Sequence, residues 1–325
     1  MDTRRVVTRF GYRLFVLNIT DGTKRTPLDF GNLDGQRYEI VADSKLKPQL
    51  NDDFVYVKPV PTFPGSTLTR NEGTVVRFTD SSLIGQELRM SLRYGAVDEG
   101  LAIDPSGQKE DIDIDGLANA KPFRSVLVTP RTGTTAMLGV EVRGRSCPHD
   151  KIIRSLNTLA VDVGKLKLID SVADIYAVSD FIRNGMIPEV NLVKYRVSRD
   201  GISKRHDVDL KINLSDKEDI VGSLRERAIA WTQRKTNYST EELTTIATEI
   251  RDEAIGGAVD ISFDDAELQV TAATGRSRKI RPQDDITEFI YDLGDIWVPD
   301  SDFFQAVGST ARGILRSYDP DSELD

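Results

Sequence analysis

The strongest pattern of apolar and polar positions lies in mid-chain, between Phe123 and Leu159. Ser125-Val-Leu-Val-Thr129 and Ala136-Met-Leu-Gly-Val-Glu-Val142 are nearly uninterrupted apolar runs around Pro130-Arg-Thr-Gly-Thr-Thr135, which predicts two buried strands joined by a hairpin loop. Pro148 stands where a first helical residue tolerates proline. Ile152, Ile153, Leu156, Leu159, Ala160 and Val163 then recur at helical spacing. This strand, loop, strand and helix form the predicted core.

Before this unit the pattern is that of strands. Gly11 to Ile19 is rich in aromatic and β-branched residues and is turned by Asp21-Gly22; Arg4, Arg5 and Arg9 precede it, but its apolar piece is short and alternating and reads as a strand, not a leader. Tyr38-Glu-Ile-Val41 and Phe54-Val-Tyr-Val57 read as short strands between loops, and Pro59, Pro61, Pro64 and Gly65 as a surface connection. Thr74 to Phe78 and Glu87 to Tyr94 are further strands. In the second, Leu88, Met90, Leu92 and Tyr94 alternate with Arg89, Ser91 and Arg93, which predicts one buried and one wet face. Asp98 to Asp115 is an acidic connection.

After the central unit helical periods dominate. Asp170 or Ser171 can cap a helix carrying Val172, Ile175, Tyr176, Ser179 and Ile182, stopped by Gly185. Val190 to Ser198 and His206 to Leu214 alternate around Asp200-Gly201 as a hairpin. Ser215-Asp-Lys-Glu218 and Ser239-Thr-Glu-Glu242 are capping boxes opening two helices, the second ended by Gly256-Gly257. Val259 to Phe263 and Leu268 to Ala272 predict a small hairpin, Ile286 to Leu293 a helix, and Phe303 to Leu315 a final amphipathic helix. Asp319 to Asp325 is expected to be disordered. The fold class expected is α+β: a β-rich domain over 1–164, a domain of helices and hairpins over 165–318, and an acidic tail over 319–325.

Composition narrows the chemistry. The chain has one cysteine, Cys147, and two histidines, His149 and His206, so an internal disulfide is impossible and a zinc site of four N and S donors lacks a ligand. No apolar run reaches the length of a membrane span, and a cytoplasmic location is expected. From Asp284 to Asp325 there are eleven acids against Arg312 and Arg316, which equals the whole net charge of −9. Lys121 to Arg154, by contrast, holds seven basic side chains against Glu141 and Asp150. A basic face can therefore persist on an acidic protein.

Three constellations were weighed. Asp207-Val-Asp-Leu-Lys211 has the strand acids and lysine of a Mg²⁺-dependent nuclease, in which carboxylates hold the cation and the lysine steadies developing charge, with Glu189 or Asp200 as a further acid. Its plainer explanation is cross-strand charge pairing with Lys194 and Arg196. Asp111-Ile-Asp-Ile-Asp-Gly116 opens like a Ca²⁺ loop but has Pro122 where the bidentate glutamate belongs. Cys147 and His149 beside a helix start lack an identifiable third catalytic group. Phosphate-loop, dinucleotide-binding and Gly-x-Ser-x-Gly motifs are absent from the sequence.

What remains is the set of basic clusters. Arg124, Arg131, Arg143 and Arg145 around the central hairpin, with Arg276, Arg278, Lys279 and Arg281 further on, offer guanidinium forks suited to phosphate oxygens. The sequence therefore gives a first expectation of a non-enzymatic nucleic-acid-binding protein without cofactor or metal. With housekeeping motifs missing, a component of a prokaryotic antiviral defence or mobile-element system fits that expectation. The alternatives are the Mg²⁺-dependent nuclease of Asp207, Asp209 and Lys211, and a structural or scaffold protein that binds a protein partner.

Overall fold

Phe10–Thr20 is buried along almost its whole length because helices cover both faces of the sheet it joins. The computed structural model describes residues 10–22, 26–61, 69–98, 101–102, 112–113, 117–197, 204–234, 238–256, 261–273, 275, 277–282, 289–294 and 296–324. In chain order the elements are β1 (Phe10–Thr20), α1 (Tyr38–Leu46), β2 (Asp53–Pro61), β3 (Thr69–Ile84), β4 (Glu87–Asp98), β5 (Leu101–Ala102), β6 (Ile112–Asp113), β7 (Leu117–Val128) and β8 (Thr135–Arg143). They continue with α2 (His149–Leu159), β9 (Lys165–Val172), α3 (Ile175–Asn184), β10 (Met186–Val197), β11 (Lys204–Asn213), α4 (Glu218–Gln233) and α5 (Thr240–Ile255). Last come β12 (Asp265–Thr271), β13 (Ser277–Ile280), β14 (Tyr291–Gly294) and α6 (Asp300–Tyr318). The two main sheets are antiparallel, and the fold is α+β as the pattern predicts.

The chain divides into two compact units, Met1–Val172 with Ile290–Asp325, and Ala173–Phe289. In the first, β8, β7, β4, β3 and β2 follow β1 in order, while β14 and β9 share the other side of β1. On one face Phe15, Leu17, Ile19, Phe78, Leu88, Met90, Phe123 and Leu138 pack with Tyr38, Ala42 and Leu46 of α1 and Ile152, Ile153 and Leu156 of α2. On the other lies α6, close enough that a Cβ on Gly139 of β8 would fall on Val307 and one on Gly308 would fall on the Glu87 carboxylate. Gly139 and Gly308 set how near helix and sheet can come.

In the second unit the sheet order is β11-β10-β12-β13, with α5 against β12 and α3 against α4. The capping box of α5 forms in full: Glu242 N donates to Ser239 Oγ at 3.2 Å and Ser239 N to Glu242 Oε2 at 2.7 Å. Gly256 closes that helix at φ +64°, a left-handed position suited to glycine.

Several expectations need correction. Tyr38 to Val41 begins a helix, not a strand; Tyr38, Val41, Ala42 and Leu46 keep helical spacing, and the signal is hidden because Glu39 and Asp43 are buried with them. Thr129 Oγ1 donates to Glu39 at 2.7 Å and Ser81 Oγ to Asp43 at 2.6 Å, which makes acids compatible with the buried face. Lys165–Val172 pairs with β1, so the first unit runs past 164, and Ile290–Asp325 returns to it. The helix expected from Asp170 or Ser171 starts later, with Asp174 accepting from Tyr176 N at 2.9 Å. Ser215 donates to Asn213 Oδ1 instead of capping α4, whose N-cap is Lys217. β12 pairs with β10 on one side and β13 on the other, which leaves no edge for Ile261 to Phe263, and Val259 and Asp260 lie outside the described residues. Tyr291–Gly294 is a strand on β1, where Tyr291 stacks on Tyr12 at 4.7 Å, and 286–288 of the expected helix lie outside the described residues. Asp319 to Glu323, expected to be disordered, forms a turn in which Ser322 N donates to Asp319 O, and Glu323 is hydrogen-bonded to the β7–β8 loop. The Asp200-Gly201 turn and all of Asp111 to Gly116 except β6 also lie outside the described residues.

Candidate functional site

The hairpin register decides the fate of the central arginines. Ser125 pairs with Val140, which sets Arg124 of β7 opposite Glu141 of β8 on the face under α6. Both side chains are buried, at 2% and 0% exposure. Arg124 Nη2 donates to Glu141 Oε1 at 3.0 Å, its Nε to Oε2 at 3.2 Å and its backbone N to Oε2 at 2.9 Å. The remaining nitrogen, Nη1, donates to Val298 O at 2.7 Å and Asp300 Oδ1 at 3.1 Å, at the start of α6. Phe303 and Trp297 lie 4.2 and 5.2 Å from its guanidinium carbon. Such a bidentate, ring-flanked guanidinium is committed inside the protein and does not offer its fork to an external phosphate.

Arg143 shares Glu141 at 3.3 Å and rests on the Trp297 ring at 4.2 Å, with a side chain only 8% exposed. Burial pushes its guanidinium pKa below the ordinary value against the pull of Glu141. Arg131 and Arg145 are exposed, but they lie beyond opposite ends of β8, whose nine residues span about 30 Å. The four arginines therefore do not assemble into one basic surface. A parallel arrangement lies further along α6, where buried Glu87 takes Arg89 Nη2 at 2.6 Å and also Arg312.

The basic run of the second unit is engaged in the same way. Lys279 Nζ lies 2.6 Å from Glu267 Oε1, and Arg281 Nε donates to Oε2 at 2.8 Å. Arg278 packs toward the Phe289 ring at 5.9 Å, and Arg276 lies outside the described residues. Burial alone would raise the Glu267 carboxyl, but Lys279 and Arg281 beside it hold it below its ordinary value of 4.5. Asp207, Asp209 and Lys211 are exposed on β11, an edge strand, and Lys211 lies 3.9 Å from Glu189. Cross-strand pairing, the plainer explanation, accounts for that contact. Among the described residues no group of three or more His, Cys, Asp or Glu is placed to hold a metal ion. His149 stacks on Phe15 at 4.2 Å, with Nδ1 3.2 Å from Cys147 O.

A different surface was not anticipated. The ladders of β3, β4 and β7 continue past the last fully buried pair, Leu92 and Phe123, to Thr74 opposite Ala96 and Asp98 opposite Leu117. From Leu92 to Asp98 this extension measures about 20 Å. Helix cover reaches Tyr56, whose hydroxyl is 2.8 Å from Ser155 Oγ of α2. Level with it across the ladder Ala96 and Asn119 are exposed, as are neighbouring Ala120, Lys121 and Pro122, and alternation puts Asn119 and Lys121 on one face and Ala120 and Pro122 on the other. This part of the sheet is a blade with both faces open. The sequence signal for it was Leu117 to Pro122, a polar and small-residue lead-in to an apolar strand.

Arg124 also had a signal. An arginine and a glutamate each interrupt otherwise apolar strands of one hairpin, which marks an internal pair. No family model matches the chain, and no curated protein or solved structure matches it. No described helix is long and apolar enough to cross a membrane.

Two outcomes follow from these contacts. Glu141→Gln keeps the shape but removes the counter-charge of Arg143 and leaves Arg124 with Asp300 alone, and is expected to lower unfolding free energy in urea by about 3–5 kcal/mol; Arg124→Met with Glu141→Leu removes the buried pair together and loses less. Because the folded-state pKa of Glu267 is depressed, its contribution is complete above about 4.5 and is lost as pH falls through the lower folded value. Glu267→Gln should accordingly flatten the acid side of the melting-temperature profile, while an unchanged acid limb would show that the cluster does not contribute.

Proposed function

We propose that this chain is a non-catalytic scaffold or structural component that engages a protein partner through the β3–β4–β7 blade. The observation that carries this reading is the uncovered extension itself. Around β1, β7 and β8 the sheet is stabilised by helices on both faces, whereas here described side chains on both faces are exposed. Strands without a packed face contribute little stability alone, so a long ordered ladder is best explained by a surface that it presents. Small residues, Gly95, Ala96, Ala118 and Ala120, stand there beside the longer Arg93, Tyr94 and Lys121.

Recognition of nucleic acid by the central arginines has less support, because Arg124 and Arg143 are consumed by Glu141 and the exposed pair, Arg131 and Arg145, is divided between two ends of a strand. The blade is tested with Ala96→Glu and Ala120→Glu in one chain, which place a charge on each face. Cross-linking in extract of the source cells should yield one protein at near-equal stoichiometry with the parent chain. That product should be lost in the double variant while its melting temperature is kept. Capture that ignores both substitutions removes the blade from the account. Salt-sensitive nucleic-acid binding that is lost in Arg131→Ala/Arg145→Ala would restore the polyanion reading.

A further inference from the structure

At the end of β7 opposite the blade, the Pro130–Thr134 loop carries a second, separate feature. The loop is braced from one side: Asp29 Oδ1 accepts Gly31 N at 2.8 Å and Gly133 N at 3.0 Å, and Phe30 N donates to Gly133 O at 2.8 Å. A Cβ on Gly31 would fall on the Arg131 carbonyl, so the two segments are in close contact. On its other side the loop meets the C-terminal segment. Arg131 N donates to Glu323 O at 2.8 Å and Glu323 N donates to Thr132 O at 3.2 Å, while Gln86 Nε2 reaches Glu323 O at 3.2 Å. The segment leaves α6 through a turn in which Ser322 N donates to Asp319 O at 3.1 Å.

The two sides differ in permanence. The bracing residues belong to the chain just after β1 and are tied to the core through buried Phe30 and Leu33. Among the described contacts, the C-terminal segment is joined to the loop by two backbone hydrogen bonds of Glu323 and to Gln86 by a third. Such a pair is the contact by which any extended peptide adds to an edge, and its backbone part does not depend on the identity of the side chains. Charge is available for side-chain selection: the loop contributes the exposed Arg131, and the segment carries Asp319, Asp321 and Glu323.

We propose that the β7–β8 loop is a docking seat for an extended acidic peptide of a protein partner, and that the chain's own C-terminal segment fills it as an autoinhibitory strap. Removing the strap leaves a formed loop with the Arg131 N–H and Thr132 C=O exposed for a partner, because Asp29 and Phe30 hold the loop independently. The bound peptide runs with one residue's C=O on Arg131 N–H and the same residue's N–H on Thr132 O, as Glu323 does. The seat is separate from the blade, so the two readings succeed or fail independently.

The test uses the full chain carrying Glu323→Pro, which lacks the N–H given to Thr132, and a fluorescein-labelled synthetic peptide corresponding to 316–325. By anisotropy the variant should bind this peptide about tenfold more tightly than the parent chain, whose strap competes from a high effective concentration. A peptide of the same composition in scrambled order should bind more weakly, and Arg131→Glu in the same variant should reduce affinity for the native-order peptide. A chain ending at Tyr318 provides the second measurement, with the same result expected. Equal affinities for parent and released chains, or equal binding of the scrambled peptide, would overturn the proposal. Concentration-dependent dimers of the parent chain that vanish on truncation would assign the seat to a second copy's tail, and that too would overturn the partner assignment.

Discussion

The pairing of Arg124 with Glu141 under α6 is the interaction on which much of the first unit depends. Two charges inside a sheet are tolerated only when each finds its full set of partners, because the desolvation of an unpaired ion far exceeds the net worth of an ordinary hydrogen bond. Those partners come from separated parts of the chain: Arg124 from β7, Glu141 from β8, and Val298, Asp300 and Phe303 from the last helix and its approach. Satisfying the pair therefore requires the C-terminal helix to return across the sheet. Glu87 with Arg89 and Arg312 repeats the requirement further along that helix, and Gly139 and Gly308 allow the close approach that both clusters need.

This use of charge also governs what the molecule can do. Arg124 and Arg143, two of the arginines that the composition offers as a phosphate-binding face, are spent within the protein, and Lys279 and Arg281 are similarly occupied by Glu267. The surface left for recognition is backbone-rich: the blade at one end of β7, and at the other a loop whose peptide groups are already paired with an acidic segment of the same chain. In the proposed readings both meet protein, the blade through its exposed faces and the loop through strand-like addition.

The central hairpin, α2, α5 and α6 were legible because their apolar periods are strong and their stops conventional, as the Ser239 box and Gly256 show. Elements failed to show wherever a long-range partner changed the meaning of a residue. Glu39 and Asp43 make α1 look too polar for a buried helix, yet Thr129 and Ser81 supply the bonds that admit them. Tyr291 to Gly294 is too short to announce itself and is a strand only because β1 offers an edge and Tyr12 a stacking partner. Ser215 had the spacing of a cap, but Asn213 competes for it. Arg124 and Arg143 looked like surface cations because the sequence gives their number and sign, not which carboxylate faces them. The register of one hairpin contains that information, and it becomes readable only when both strands are placed side by side.

Native-state hydrogen exchange of the full chain tests the central claim most directly. If buried charges lock α6 onto the sheet, amides from Phe303 to Leu315 exchange only with global unfolding, at the same free energy as the interior amides of β7 and β8. Exchange of the α6 amides at a distinctly lower free energy than those strands would mean that the helix opens by itself, and would contradict the account.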